Sequence, residues 1–229
     1  MAFLVALDLP CSHPDTLRVA ALLARTTGEA PRVVHISDPP ATLGQLGELY
    51  TLVAPLRASG IRVHVLTVQG DAAAGICRSA TELRCRWVLL GTGRDPTDAS
   101  SLAHRVMRQC PVPVVAVRPG PLAPCQDTVR DVILTGNGEP TGGAPRAVAS
   151  LLAEACDVPL REVSGTSLHS GSPLSRTGAS SARMVVVPLD ADRPAPSWAL
   201  GLLGIEPGTM VAVSRRPFLR DVCYPTGSG

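Results

Sequence analysis

Asp8 stands at the end of an aliphatic run, Ala2-Phe3-Leu4-Val5-Ala6-Leu7, that reads as a buried strand. A carboxylate at a strand end accepts hydrogen bonds from a small polar ligand or caps the turn that follows, and both readings fit its position. A second run, Trp87-Val88-Leu89-Leu90, leads into Gly91-Thr92-Gly93-Arg94. Glycines after a strand make a tight turn, and the same turn lets backbone N–H groups come close to an anion. Ser100 and Ser101 then open a helix. Their hydroxyls cap its first N–H groups, which are also the groups that attract a bound anion. Arg94 reads either as a solvated loop charge or as an anion clamp. Together these residue types suit capture of a small anionic molecule.

Covalent chemistry finds less support. The chain has no G-x-x-x-x-G-K-S/T loop and no G-x-S-x-G elbow, and no glycine completes a dinucleotide fingerprint from Gly91-Thr92-Gly93. Ser101, Asp95 and His104 are close in sequence, yet helical geometry gives no reason to expect a triad. The seven cysteines are scattered without a C-x-x-C pair, and the five histidines are dispersed. No metal site is therefore expected, the thiols read as reduced, and the protein is expected to be cytoplasmic and not an enzyme. A net charge of +2 with 3% aromatic residues offers neither a broad basic footprint nor stacking platforms, which argues against a nucleic-acid partner. No apolar run approaches the ~20 residues that span a bilayer, and Asp8 interrupts the apolar N-terminus too early for a signal sequence.

These residues need a scaffold, and the apolar pattern supplies one. Strands are expected at 2–7, 32–36, 61–68, 87–90 and 112–117, the third beginning at Ile61. Between them lie helical stretches. Ser12, Pro14 and Asp15 give helix-start chemistry before a Leu- and Ala-rich segment from Leu17 to Arg25. Leu46, Leu49, Tyr50, Val53 and Leu56 recur at helical spacing as one inward face, with Pro55 placed to kink or shorten that helix. Asp71 is placed to cap a helix carrying Ile76, Cys77, Ala80 and Leu83 inward. Leu102, Ala103, Val106, Met107 and Cys110 mark another. His35 and His64 read as satisfied sheet residues and His104 as a surface helix residue. Strict strand–helix alternation implies right-handed crossovers and a parallel sheet.

A shorter echo follows. Val132-Ile133-Leu134, a helix from about Pro145 to Cys156, and a strand from Val158 to Val163 precede a Ser-, Gly- and Thr-rich stretch at 164–181 that reads as a mobile loop. Met184-Val185-Val186-Val187-Pro188 echoes Trp87 to Gly91. Thr209-Met210-Val211-Ala212-Val213-Ser214-Arg215 echoes Pro113 to Arg118. The division expected is a first α/β domain at 1–119, a linker at 120–127, a truncated second domain of similar type at 128–216 and a tail at 217–229.

The first half resembles the universal stress protein family. Val5-Ala6-Leu7-Asp8 and Val33-Val34-His35-Ile36-Ser37-Asp38-Pro39 look like its first two strands, and Gly70-Asp71-Ala72-Ala73-Ala74-Gly75-Ile76 like its turn into the third helix. Most specific is Val88-Leu89-Leu90-Gly91-Thr92-Gly93 followed by Ser101-Leu102-Ala103-His104-Arg105-Val106-Met107 and Cys110-Pro111-Val112-Pro113-Val114. The resemblance implies a five-stranded parallel sheet ordered 3-2-1-4-5 flanked by helices, with a second, degenerate copy in tandem. It also implies a nucleotide site drawn from Asp8, Ile36, Leu90, Gly91, Thr92, Gly93, Arg94, Ser100, Ser101 and Leu102. In ATP-binding members a G-x-x-G loop, and further on a Gly before Ser or Thr, cradle the phosphates. Here Arg94 and Ser100 replace two of those glycines, only five residues separate them, and Asp95 and Asp98 add negative charge.

The ligand the resemblance implies is thus ATP with Mg, a smaller AMP-like molecule, or none. The role implied is a regulatory protein of the stress response that senses a nucleotide. The alternative is a ligand-free module that docks on a protein partner such as a transporter system. Pairing through the fifth strands is expected, either between copies as a homo-oligomer or within the chain, where Val112–Val117 meets Met210–Ser214 as a pseudo-dimer.

Overall fold

A computed structural model describes residues 2–9, 14–92, 101–118, 129–136, 143–164, 182–189 and 209–214. The linker, the Ser/Gly-rich stretch from 165 to 181 and the tail lie outside the described residues, as does Ser12, while Ser164 ends a strand. The elements are β1 (Ala2–Ala6), α1 (Pro14–Thr27), β2 (Ala30–Ser37), α2 (Leu43–Ala58), β3 (His64–Gln69), α3 (Ala72–Glu82), β4 (Cys85–Gly91), α4 (Leu102–Gln109), β5 (Val114–Arg118), β6 (Val129–Gly136), α5 (Gly143–Cys156), β7 (Leu160–Ser164), β8 (Ala182–Leu189) and β9 (Thr209–Ser214). Pro14 takes the first position of α1, where its missing N–H costs nothing.

The strands form one sheet in the order β3-β2-β1-β4-β5-β9-β8-β6-β7. Its first five members have the expected 3-2-1-4-5 order and are parallel throughout. The sheet does not stop there. β5 meets β9 antiparallel, with Val115 opposite Val213 and Val117 opposite Val211, so the two aliphatic strands pair within the chain. All four valines are fully buried, and the Val114 N–H donates to Ser214 Oγ at 2.9 Å across the seam.

The core lies on both faces of this sheet. On one face α1, α2 and α5 share a single apolar cluster that runs from Leu23 and Leu49 to Val148 and Leu152, and α1 packs directly on α5. On the other face α3 and α4 cover β1, β2, β4 and β5 through Ile76, Ala80, Val106 and Met107. Each fully buried aliphatic side chain contributes about 1.5–3 kcal/mol. With few aromatics the core is built mainly of Val, Leu and Ala, and the Phe3–Trp87 ring pair is its bulkiest contact (centroids 6.1 Å apart).

Some details differ from the sequence expectation. β3 begins at His64 rather than Ile61 because the Ile61 N–H donates to the Leu56 carbonyl and the Gly60 N–H to Arg57, closing α2 with a Schellman cap. Gly60 takes the left-handed conformation (φ +81°) that this cap requires. β7 starts late for the same reason. The Val158 N–H donates to Ala153 and the Asp157 N–H to Glu154, with Asp157 at φ +52°, so the strand begins at Leu160. Tyr50 is 48% exposed rather than inward, since Leu49, Val53 and Leu56 alone fill the buried stripe of α2. That helix also runs through Pro55 to Ala58, started by a Thr42–Gln45 capping box.

Among the described residues no helix is long and apolar enough to cross a membrane.

Candidate functional site

In a parallel sheet the ligand crevice opens where the chain leaves neighbouring strands in opposite directions. Here that point lies between β1, whose chain continues to β2, and β4, whose chain continues to β5. A cavity of 490 Å³ opens at their carboxyl ends. Small-molecule sites occupy roughly 300–1,000 Å³, so its size is suitable.

Each wall comes from a different element. Ala6 and Leu7 at the end of β1, Val34 and Ile36 of β2, Ala72 and Ile76 of α3, and Leu90 of β4 make an apolar slot. Ile36 reaches its place because α3 has Gly75 opposite it; a Cβ at that position would lie 2.7 Å from Ile36 Cδ1. Asp8, just past β1, is exposed and lines the mouth. Gly91 and Thr92 line the β4 side, and Ser101 and Leu102 the start of α4.

The polar groups at the mouth are held in fixed roles. The Thr92 N–H donates to the Val117 carbonyl at 2.8 Å and its hydroxyl reaches the same oxygen at 3.5 Å, which ties the loop after β4 to the end of β5. Ser101 is the N-cap of α4, its Oγ accepting from the His104 N–H at 3.2 Å. The positive end of α4 therefore points at the cavity mouth. Asp71 caps α3 by accepting from the Ala74 N–H at 2.9 Å, and takes a 2.8 Å ion pair from Arg105 of α4. The Ala74 N–H first, then Arg105, holds the Asp71 carboxyl below its ordinary value of 3.8. Two helix starts at the mouth are thus tied together.

Seven of the ten residues singled out in the sequence line this one cavity: Asp8, Ile36, Leu90, Gly91, Thr92, Ser101 and Leu102. Gly93, Arg94 and Ser100 lie outside the described residues. Sequence reasoning missed Thr16, in the first turn of α1, and Ala72 with Ile76. The last two carried a signal, since a spacing of four puts both on one face of α3. His35 is buried with Nδ1 3.0 Å from the Leu7 carbonyl, and does not line the cavity; His64 is exposed on the edge strand β3. His104 is half-buried.

This arrangement can hold a flat apolar ring in the slot, accept hydrogen bonds from hydroxyls at Asp8, and place an anion at the start of α4. Those features fit the base, sugar and phosphate of a nucleotide. Among the described lining residues Asp8 is the single titratable side chain. No cluster of three metal-ligating side chains occurs among the described residues.

Comparison with known proteins agrees with the fold. The universal stress protein family matches residues 1–118. A solved protein of unknown function from Pseudomonas aeruginosa PAO1 superposes with a TM-score of 0.60 at 12% identity, covering 94% of this chain and 92% of its own. The cytoplasmic domain of a prokaryotic cation chloride cotransporter gives 0.60 at 13%, covering 93% and 94%. A universal stress protein from Archaeoglobus fulgidus DSM 4304 gives 0.52 at 13%, covering 94% and 96%. At these identities the likeness is one of fold. No curated protein matches the chain in sequence.

Proposed function

The chain belongs to the universal stress protein family, and from that premise we propose that it is a non-catalytic regulatory protein of the stress response that binds an adenine nucleotide between β1 and β4. The observation that carries this reading is the 490 Å³ cavity, with an apolar slot at one side, Asp8 at its mouth and the capped start of α4 facing it. The preferred ligand is AMP or another nucleotide with a short phosphate tail. The shortened segment between Arg94 and Ser100, with Asp95 and Asp98 inside it, disfavours the triphosphate and its Mg.

The proposal extends to the organisation of the chain. Residues 1–119 form one unit, 120–127 a linker, 128–216 a degenerate second unit and 217–229 a tail. Strand order supports this: β7-β6-β8-β9 repeats β2-β1-β4-β5, as expected of a duplicated unit, with no counterpart of β3 among the described residues. On this reading β5 and β9 are the two fifth strands, and the chain is its own pseudo-dimer.

Calorimetric titration with AMP, Mg-ATP and buffer alone tests the ligand. The expected result is saturable AMP binding at one site per chain, weaker Mg-ATP binding, and a large loss of AMP affinity in Asp8→Ala. No heat from either nucleotide, in protein shown to be folded, would rule the reading out. The module that docks on a protein partner, such as a transporter system, would then take its place.

A further inference from the structure

Among the described residues three hydroxyl side chains line the cavity, and two are already engaged: Thr92 with the Val117 carbonyl, Ser101 with the His104 N–H. The third is Thr16. It is 1% exposed, it lines the cavity, and its Oγ1 has no hydrogen-bond partner among the described residues. A buried hydroxyl left unpaired destabilises the protein, and such groups in a native structure call for a ligand or water to complete them.

Its place in the fold narrows the choice of partner. Thr16 sits in the first turn of α1, and α1 packs on the opposite face of the sheet from α3. The apolar slot that suits a base is on the α3 side, lined by Val34, Ile36, Ile76 and Leu90. The start of α4, which suits a phosphate, is at Ser101 and Leu102. Thr16 lines the cavity from the α1 side, and Leu7 and Asp8 line it at the end of β1. A carboxylate there disfavours a phosphate and accepts from neutral hydroxyls, and a threonine hydroxyl can both donate and accept. Resting on the nucleotide reading above, we infer that Thr16 is a specificity-determining residue whose hydroxyl, with Asp8, recognises a sugar hydroxyl of the bound nucleotide.

Two consequences separate this role from a structural one. Thr16→Val keeps the side-chain shape and removes a hydroxyl that has no partner among the described residues, so the ligand-free Tm should hold or rise. The same change should weaken AMP binding about tenfold, the loss of one good hydrogen bond. Thr16→Ser should retain the affinity.

The experiment is calorimetry on the full chain with AMP, 2′-deoxy-AMP and 3′-deoxy-AMP, for the wild type, Thr16→Val and Thr16→Ser. The wild type and Thr16→Ser should bind at least one deoxy nucleotide about tenfold more weakly than AMP, and in Thr16→Val that discrimination should shrink. Equal wild-type affinity for all three would overturn the assignment of Thr16 while leaving the nucleotide site standing. So would unchanged discrimination in Thr16→Val, or a fall in its ligand-free Tm. No binding of AMP to the wild type would overturn the nucleotide reading, and this assignment with it.

Discussion

Gly75→Ala offers a close test of how α3 shapes the cavity. An alanine inside an exposed helix is about 1 kcal/mol more favourable than glycine. At position 75, however, the new methyl would lie 2.7 Å from Ile36 Cδ1 and 3.2 Å from its Cγ2. Carbon atoms rest at about 3.5–4.0 Å, so Ile36 must shift by roughly 1 Å. Overpacking of this kind costs about 1–3 kcal/mol, which cancels or exceeds the helical gain. Net stability is expected to fall by about 0–2 kcal/mol. Because Ile36 lines the slot, its displacement should also weaken AMP binding. Ile36→Val removes the Cδ1 atom, so the double variant should recover part of both losses. Urea unfolding of the wild type, both single variants and the double variant gives the coupling, expected at about 1 kcal/mol. A Gly75→Ala protein about 1 kcal/mol more stable than wild type, with unchanged AMP affinity, would refute the reasoning.

Ser214→Ala should leave the buried Val114 N–H without its acceptor at the β5–β9 seam and cost about 1–3 kcal/mol, read as a lower urea midpoint; a change below about 0.5 kcal/mol would show that the seam does not rest on this bond. Asp71 should stabilise the fold only while ionised. Its folded pKa is lowered, so the stability difference between wild type and Asp71→Ala should be full well above pH 3.8 and close as pH falls through that lowered value; a difference that grew on acidification would contradict the sign. Cys85 is fully buried at the start of β4, and burial pushes its thiol up to about 11. Peptide mapping after alkylation at pH 8 should find it unmodified in the native protein and modified once unfolded; rapid native labelling would contradict the burial.

The sheet of the first half was legible because each strand is an aliphatic run and each helix has an apolar face. What misled were the joints. Ile61 and Val158 look like the first residues of strands, yet their N–H groups are committed to Schellman caps that only the three-dimensional end of a helix reveals. Tyr50 has helical spacing on a helix whose outer face also carries the exposed Leu43, so periodicity alone could not orient it. Asp8, Gly91 and Ser101, singled out through the family resemblance, line the cavity. Thr16 was not singled out, because nothing local distinguishes it; its significance comes from a cavity made by β1, β2, β4, α3 and α4 around it. The β5–β9 pairing had the same limit. Two valine-rich strands can pair within a chain or between chains, and the sequence pattern is identical in either case.

The proposed nucleotide would occupy the crevice between β1 and β4. Amide chemical shifts of ¹⁵N-labelled protein during titration with AMP test it at residue level. Saturable shifts are expected at Leu7, Asp8, Ile36, Ala72, Ile76, Leu90 to Thr92, Ser101 and Leu102, with β7 and the outer face of α2 unmoved. Absence of shifts at those amides, or shifts centred on β7 or α5 instead, would contradict it.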